Sequence, residues 1–267
     1  MLEIRHLTKI YDDGTVALRD VNFQVPDGEF MVVIGLSGSG KSTLLRCINR
    51  LIDPTEGEIL WDGVDLAKLK GDDLRNMRRH IGMVFQQFNL VKRSSVYNNV
   101  MAGRLGYSPT WRSVLGRFSP QDHERARQSM DRMGIMDQAY KRADELSGGQ
   151  QQRVGIARAL MQEPKMILAD EPVASLDPVL AHSILQHLER LNREDGITVI
   201  CSLHYLDLVQ RYGTSVIGLR AGQLVYQGSR DDIRELTDEQ FKTIYGEEAE
   251  RIGDLTGGIK GTVGGEP

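Results

Sequence analysis

Apolar and polar residues alternate over the first 30 positions. Leu2, Ile4 and Leu7 are followed by Val21, Phe23 and Val25 in an otherwise polar text. This spacing predicts half-buried strands of an antiparallel sheet. "FMVVIG" at 30–35 is different, a continuous apolar run of the kind that forms a strand buried on both faces. A Gly-rich loop follows it, and "STLLRCINRL" then has helical spacing. "GEILWDG" at 57–63 reads as a short hairpin strand. "IGMVF", "KMILAD" and "ITVICS" are three more buried-strand candidates separated by long helical text. Strands alternating with helices predict an α/β fold with a mostly parallel sheet and an N-terminal antiparallel β subdomain.

No buried-strand run occurs between 89 and 144. Charged, Met-containing text there predicts an inserted helical subdomain, extending to about residue 160 once the next helical run is included. "VIGLRAGQLVYQG" predicts a hairpin turning at Ala221-Gly222, and 231–250 a surface helix. The last 15 residues hold six glycines and little to bury. One domain over 1–250 with a disordered tail over 251–267 is the expected organisation.

Of the 267 residues, 40% are hydrophobic, enough for a sizeable core. The net charge of −4 argues against a nucleic-acid partner, which calls for a basic stripe. Cys47 and Cys201 sit in apolar runs and read as small core residues, neither a disulfide nor a metal site. Charges in "MLEIRHLTKIY" occupy the place where a signal peptide has its apolar centre. No apolar run approaches the ~20 residues of a membrane span. A soluble, cytosolic chain is expected.

"GLSGSGKS" at 35–42 fits G-x-x-x-x-G-K-[ST] at each fixed position, between a strand and a helix. Glycines let successive backbone N–H groups close around phosphate oxygens, and the following helix adds its positive end. Gly35, Leu36, Ser37, Gly38, Ser39 and Gly40 are therefore the expected phosphate cradle, continued by Lys41, Ser42 and Thr43. Lys41 supplies a mobile cation, and the Ser42 hydroxyl is a Mg²⁺ ligand. Asp170 and Glu171 close the "KMILADE" run. Strand ends converge at one edge of a parallel sheet, so both acids are expected beside the phosphates. Asp170 is placed to hold Mg²⁺ through water, and Glu171 to accept a proton from an attacking water.

A second anion device, "LSGGQ" at 146–150, opens the helical run "QQRVGIARAL". Ser147 reads as a helix N-cap, and the glycines permit close backbone approach. With this pentapeptide the chain resembles the ATP-binding cassette family over about residues 2–228, its motifs in the family order. The resemblance implies that Ser147, Gly148, Gly149 and Gln150 contact ATP. It also implies roles for Gln86 at the metal (Gln87 being the lesser candidate) and for Asp177 in communication between subunits. Tyr11 is implied to stack on adenine, and His204 to orient the γ-phosphate and the water. The family commonly has Thr-His-Asp at that last position; this chain has Leu-His-Tyr, which puts the neighbours' contacts in doubt.

The family resemblance further implies a homodimer in which the signature helix of each copy closes over ATP held by the other. Its load would be two integral membrane permease subunits, served by an external or periplasmic solute-binding protein, with this chain on the cytoplasmic face of the membrane. The stretch 89–118, with Lys92, Arg93, Arg104, Arg112 and Arg117 among Tyr97, Tyr107 and Trp111, is the expected docking region for those subunits. "NNVMAGRLG", "ADEPVASLDP" and "ITVICSLH" look most like the ATPase subunit of phosphonate importers. Phosphate, phosphite or an amino acid are the alternative cargoes. A phosphate-loop kinase is the rival enzyme class, but it has no use for "LSGGQ". A cassette protein acting on DNA or ribosomes, or a non-catalytic nucleotide sensor, fits less well.

Overall fold

The alternating N-terminal text folds as an antiparallel sheet. In the computed structural model, which describes residues 1–107, 118–234 and 237–246, its strands are β1 (Leu2–Ile10), β2 (Val16–Val25), β4 (Glu56–Trp61) and β5 (Val64–Asp65). Their spatial order is β2-β1-β4-β5. Strict alternation would put Ile4 and Leu7 on opposite faces, yet both are buried. The ladder explains this: its register shifts between the two residues, at His6, whose φ is 50°. That bulge returns Leu7 to the inner face.

The buried-strand runs form a second sheet of order β10-β9-β3-β8-β7-β6. These strands are β3 (Phe30–Ile34), β6 (Ile81–Val84), β7 (Met166–Ala169), β8 (Thr198–Ser202), β9 (Ser215–Arg220) and β10 (Gln223–Ser229). All neighbours pair in parallel except the β9–β10 hairpin, which turns at Ala221 and Gly222. This is the expected α/β architecture. β3 is buried on both faces. Phe30, Val32 and Ile34 enter one core with the helices Gly148–Leu160 and Pro178–Asp195. Met31 and Val33 enter the other, between this sheet, the antiparallel sheet and the helix Lys41–Ile48. Both cysteine thiols are buried; burial pushes Cys47 up to about 12 and Cys201 further in the same direction. Both are inert packing groups.

Between β6 and β7 lie the helices Val96–Met101, Pro120–Arg132 and Gly148–Leu160. Ser95, Ser119 and Ser147 cap them, each hydroxyl accepting from a backbone N–H three residues on. Within the expected docking region Arg104 is not a surface cation, and Tyr107 is half-buried against it. Arg104 is buried: its Nε donates to Asp122 at 2.7 Å, and a terminal nitrogen donates to Glu163 at 2.9 Å. Its guanidinium also lies 3.8 Å from the centre of the Tyr107 ring. Burial opposes ionisation of Asp122, but hydrogen bonds from Ser119 and Arg104 outweigh it and hold the carboxyl below the usual range. Arg104→Ala leaves that buried charge without its main partner and is expected to cost about 3–5 kcal/mol of stability. A urea titration of the two proteins measures this directly. Trp111, Arg112 and Arg117 lie outside the described residues.

A single surface helix over 231–250 is also corrected. Thr237 accepts from the Gln240 N–H and starts a separate helix, Asp238–Tyr245, after Arg230–Arg234. Ile244 and Tyr245 are buried, so the second helix belongs partly to the core. Residues 247–250 and the tail over 251–267 lie outside the described residues.

Candidate active site

Because β3, β6, β7 and β8 run parallel, the loops after them gather at one edge of the sheet. The phosphate loop follows β3, Asp170 and Glu171 follow β7, His204 follows β8, and Gln86 follows β6. Glycine is required at both ends of the phosphate loop. A Cβ on Gly35 would lie 2.2 Å from the Leu219 carbonyl oxygen, and one on Gly40 2.5 Å from that of Ala17. Both also have positive φ, 142° and 106°. Gly38, Ser37 and the tip of the loop face solvent, while Leu36 packs against the core. The helix Lys41–Ile48 begins directly after Gly40 and points its free N–H groups at the loop.

Lys41 is 3% exposed, and its ammonium donates to the carbonyls of Gly35 at 2.8 Å and Leu36 at 2.9 Å. It lies 3.8 Å from Glu171 Oε1. Burial pulls its pKa below the ordinary lysine value, against the opposing pull of Glu171 and Asp170. Ser42 donates to Asp170 Oδ1 at 2.7 Å. Glu171 Oε1 meets His204 Nε2 at 2.5 Å. Lys41 and His204 therefore meet on the Glu171 carboxylate, and Ser42 pairs with Asp170 alongside. Glu171 itself has φ 46°. Such a conformation costs of order 1–3 kcal/mol in a non-glycine residue and persists where the surroundings hold it.

The structure also places the remaining candidates. Tyr11 is partly exposed, its hydroxyl 3.2 Å from Thr43 Oγ1, which sets the ring beside the start of the phosphate-loop helix. Gln86 and Gln87 are both exposed in the turn after β6, so burial does not choose between them. Ser147 and Gln150 form a reciprocal capping box. Among the described residues no hydrogen bond or ion pair joins that signature to the phosphate loop of the same chain. Gly148 and Gly149 sit against Leu176 and Leu180, where a Cβ would come within 3.2 and 3.1 Å. Asp177 caps the helix Pro178–Asp195, accepting from Leu180 N at 3.0 Å, and is exposed. Leu203 is buried and Tyr205 exposed beside His204.

Sequence reasoning missed three polar residues here. Arg46 donates to Asp170 Oδ2 at 3.2 Å. Ser202 accepts from the Glu171 N–H at 2.8 Å. Arg158, on the signature helix, donates to the carbonyls of Phe88 and Asn89 in the loop after Gln86. The available signal was a polar side chain inside or ending an apolar run, as at Arg46 in "LLRCI" and Ser202 in "TVICS".

The arrangement fits a nucleoside triphosphate with Mg²⁺. The buried Ser39 hydroxyl has no partner among the described residues, and a phosphate would supply one. Ser42 and Asp170 present hard oxygen donors, as Mg²⁺ requires. Among the described residues no three His, Cys, Asp or Glu side chains gather, so most ligands would have to be phosphate oxygens and water.

Residues 18–174 match the ABC transporter family. The phosphonates import ATP-binding protein of Staphylococcus saprophyticus is 54% identical, covering 94% of this chain and 98% of its own. Its counterpart in Bacillus anthracis is 55% identical, over 92% and 95%. Among solved structures, the dimeric bacterial ABC transporter cassette MJ0796 superposes with a TM-score of 0.77 at 37% identity, over 86% of this chain and 99% of that one. A nucleotide-free cassette from an ABC transporter gives 0.80 at 29% identity, over 92% and 99%. A family match across more than half of the sequence and relatives this similar along almost all of it agree with the phosphate loop and the signature: the chain belongs to the ABC transporter family.

Proposed function

We propose that this ABC ATPase drives uptake of a phosphonate, or a related phosphorus oxyanion, through two separate membrane subunits, with two copies of the chain sharing two ATP sites. One observation carries the cargo assignment: relatives named for phosphonate import match at over half of all positions and along nearly their whole length. The dimer rests on the similarity to a cassette whose solved structure is dimeric, together with the presence of two anion devices in one chain.

In this reading Tyr11 stacks on the adenine, and the loop from Gly35 to Thr43 wraps the phosphates. Lys41 leaves its two loop carbonyls for the terminal phosphates. Ser42, Asp170 and Gln86 hold Mg²⁺, which when bound neutralises phosphate charge and polarises the terminal phosphoryl group. Glu171, anchored by His204, takes the proton of the attacking water. Ser147, Gly148, Gly149 and Gln150 of the second copy offer a helix N-terminus to the same phosphates, and Asp177 links the two sites. The channel is assigned to separate polypeptides, with this chain on their cytoplasmic face, from the likeness to import ATP-binding proteins; among the described residues no helix is long and apolar enough to cross a membrane. A solute-binding protein outside delivers the cargo.

Tagged chain purified from membranes is expected to bring two permease subunits and to release inorganic phosphate from ATP without an acceptor substrate. The associated solute-binding protein, titrated calorimetrically with phosphonate, phosphite, phosphate and amino acids, is expected to prefer phosphonate. Preference for an amino acid would overturn the cargo assignment and leave the ATPase intact. A phosphorylated small-molecule product would instead support a kinase.

A further inference from the structure

We infer that Ser202 is a positioning residue for Glu171: its hydroxyl holds the glutamate backbone in the left-handed turn that aims the carboxylate at the phosphate site. The inference rests on the reading in which Glu171 is the general base.

Ser202 ends β8 and is completely buried beneath the apolar residues that precede it. A hydroxyl at zero exposure must find partners within the protein. Here Oγ accepts from the Glu171 N–H at 2.8 Å. Its own proton faces Asp170 Oδ1 and the Ala169 carbonyl, each at 3.5 Å. The β7–β8 ladder pairs only as far as Ala169 with Cys201, so the Glu171 N–H lies beyond it, and the acceptor it finds is the Ser202 side chain.

The chain leaving β7 is thereby pinned from two directions. Asp170 N–H donates to Val84 on β6, and Glu171 N–H donates to Ser202 on β8. Between those anchors Glu171 takes φ 46°. His204 and Lys41 touch only the Glu171 side chain, so they restrain the carboxylate and not the turn beneath it. Glycine would adopt this φ without strain but has no carboxylate. The fold instead keeps the glutamate and adds a hydroxyl to hold it. The same hydroxyl lies beside the carboxylate that takes the Ser42 hydrogen bond, which links the position of the base to that of the metal-side acid.

The test compares Ser202→Thr with Ser202→Val. The two side chains have the same shape, so any packing cost is common to both and only the hydroxyl differs. Ser202→Val is expected to lower kcat for ATP hydrolysis by about ten-fold relative to Ser202→Thr, the effect of leaving one half-buried donor unpaired. KM for ATP is expected to be equal in the two, because the phosphate loop is untouched. Ser202→Ala should behave like Ser202→Val. In a Glu171→Gln background, single-turnover assays are expected to show no difference between Thr and Val at 202. Equal kcat for Thr and Val in the parent background overturns the inference. So does a Val defect of undiminished size in the Glu171→Gln background, since the hydroxyl would then act without the glutamate. Parental turnover by Glu171→Gln alone is a separate outcome, and it removes the general-base reading itself.

Discussion

Glu171→Gln is expected to bind Mg-ATP normally and to hydrolyse it roughly 10²–10⁴-fold more slowly, the usual contribution of a positioned general base. Glutamine preserves the shape of the side chain and can still accept a hydrogen bond from His204 Nε2, and the backbone bond to Ser202 is untouched, so the strained turn at 171 should survive. What disappears is the capacity to take a proton. With hydrolysis blocked, the proposed shared sites predict that ATP stays in place and keeps two copies together. Light scattering at saturating Mg-ATP should therefore report a dimer for Glu171→Gln and a mixture for the parent. A Glu171→Gln chain that stays monomeric under those conditions contradicts the shared-site proposal, whatever its turnover.

Lys41→Ala should lose ATP binding. The ammonium is buried, it is held by two loop carbonyls, and burial already draws its pKa down. A buried cation that neighbouring carboxylates only partly compensate is well suited to an incoming polyanion. Charge-assisted hydrogen bonds contribute about 1.5–3 kcal/mol each, so losing even one is expected to weaken binding by about 10- to 150-fold. Fluorescent ATP analogues measure the affinity. The rise in melting temperature that ATP gives the parent should vanish in parallel. Affinity equal to the parent's would show that the loop at 35–42 is not where the phosphates go.

The fold was legible because its periodicities are clean. The apolar runs at 30–35, 81–85, 165–170 and 197–202 read as candidate strands covered on both sides, and each became one. Where the pattern misled, a local feature had intervened. The bulge at His6 altered which residues share a face, and the Thr237 cap divided a helix that composition alone made continuous. Arg104 was misread because a charged residue among aromatics looks the same on a surface as in a buried ion pair; only Asp122 and Glu163, 18 and 59 residues away, settle the difference. Within the site, the phosphate loop is contiguous and so announces itself. Arg46 and Ser202 do not, since the groups they hold lie 124 and 31 residues away in the chain. No fixed spacing marks such pairs, and a tertiary contact is needed to reveal them.

The double burial of β3 has a mechanical consequence. Its odd and even side chains are gripped by different cores, so the strand cannot tilt or slide without disturbing packing above and below at once. The phosphate loop hangs from the end of this clamped strand, which makes it the fixed reference of the site. Under the proposed function, any movement that accompanies nucleotide exchange would fall to the segments around this loop and leave the strand itself in place.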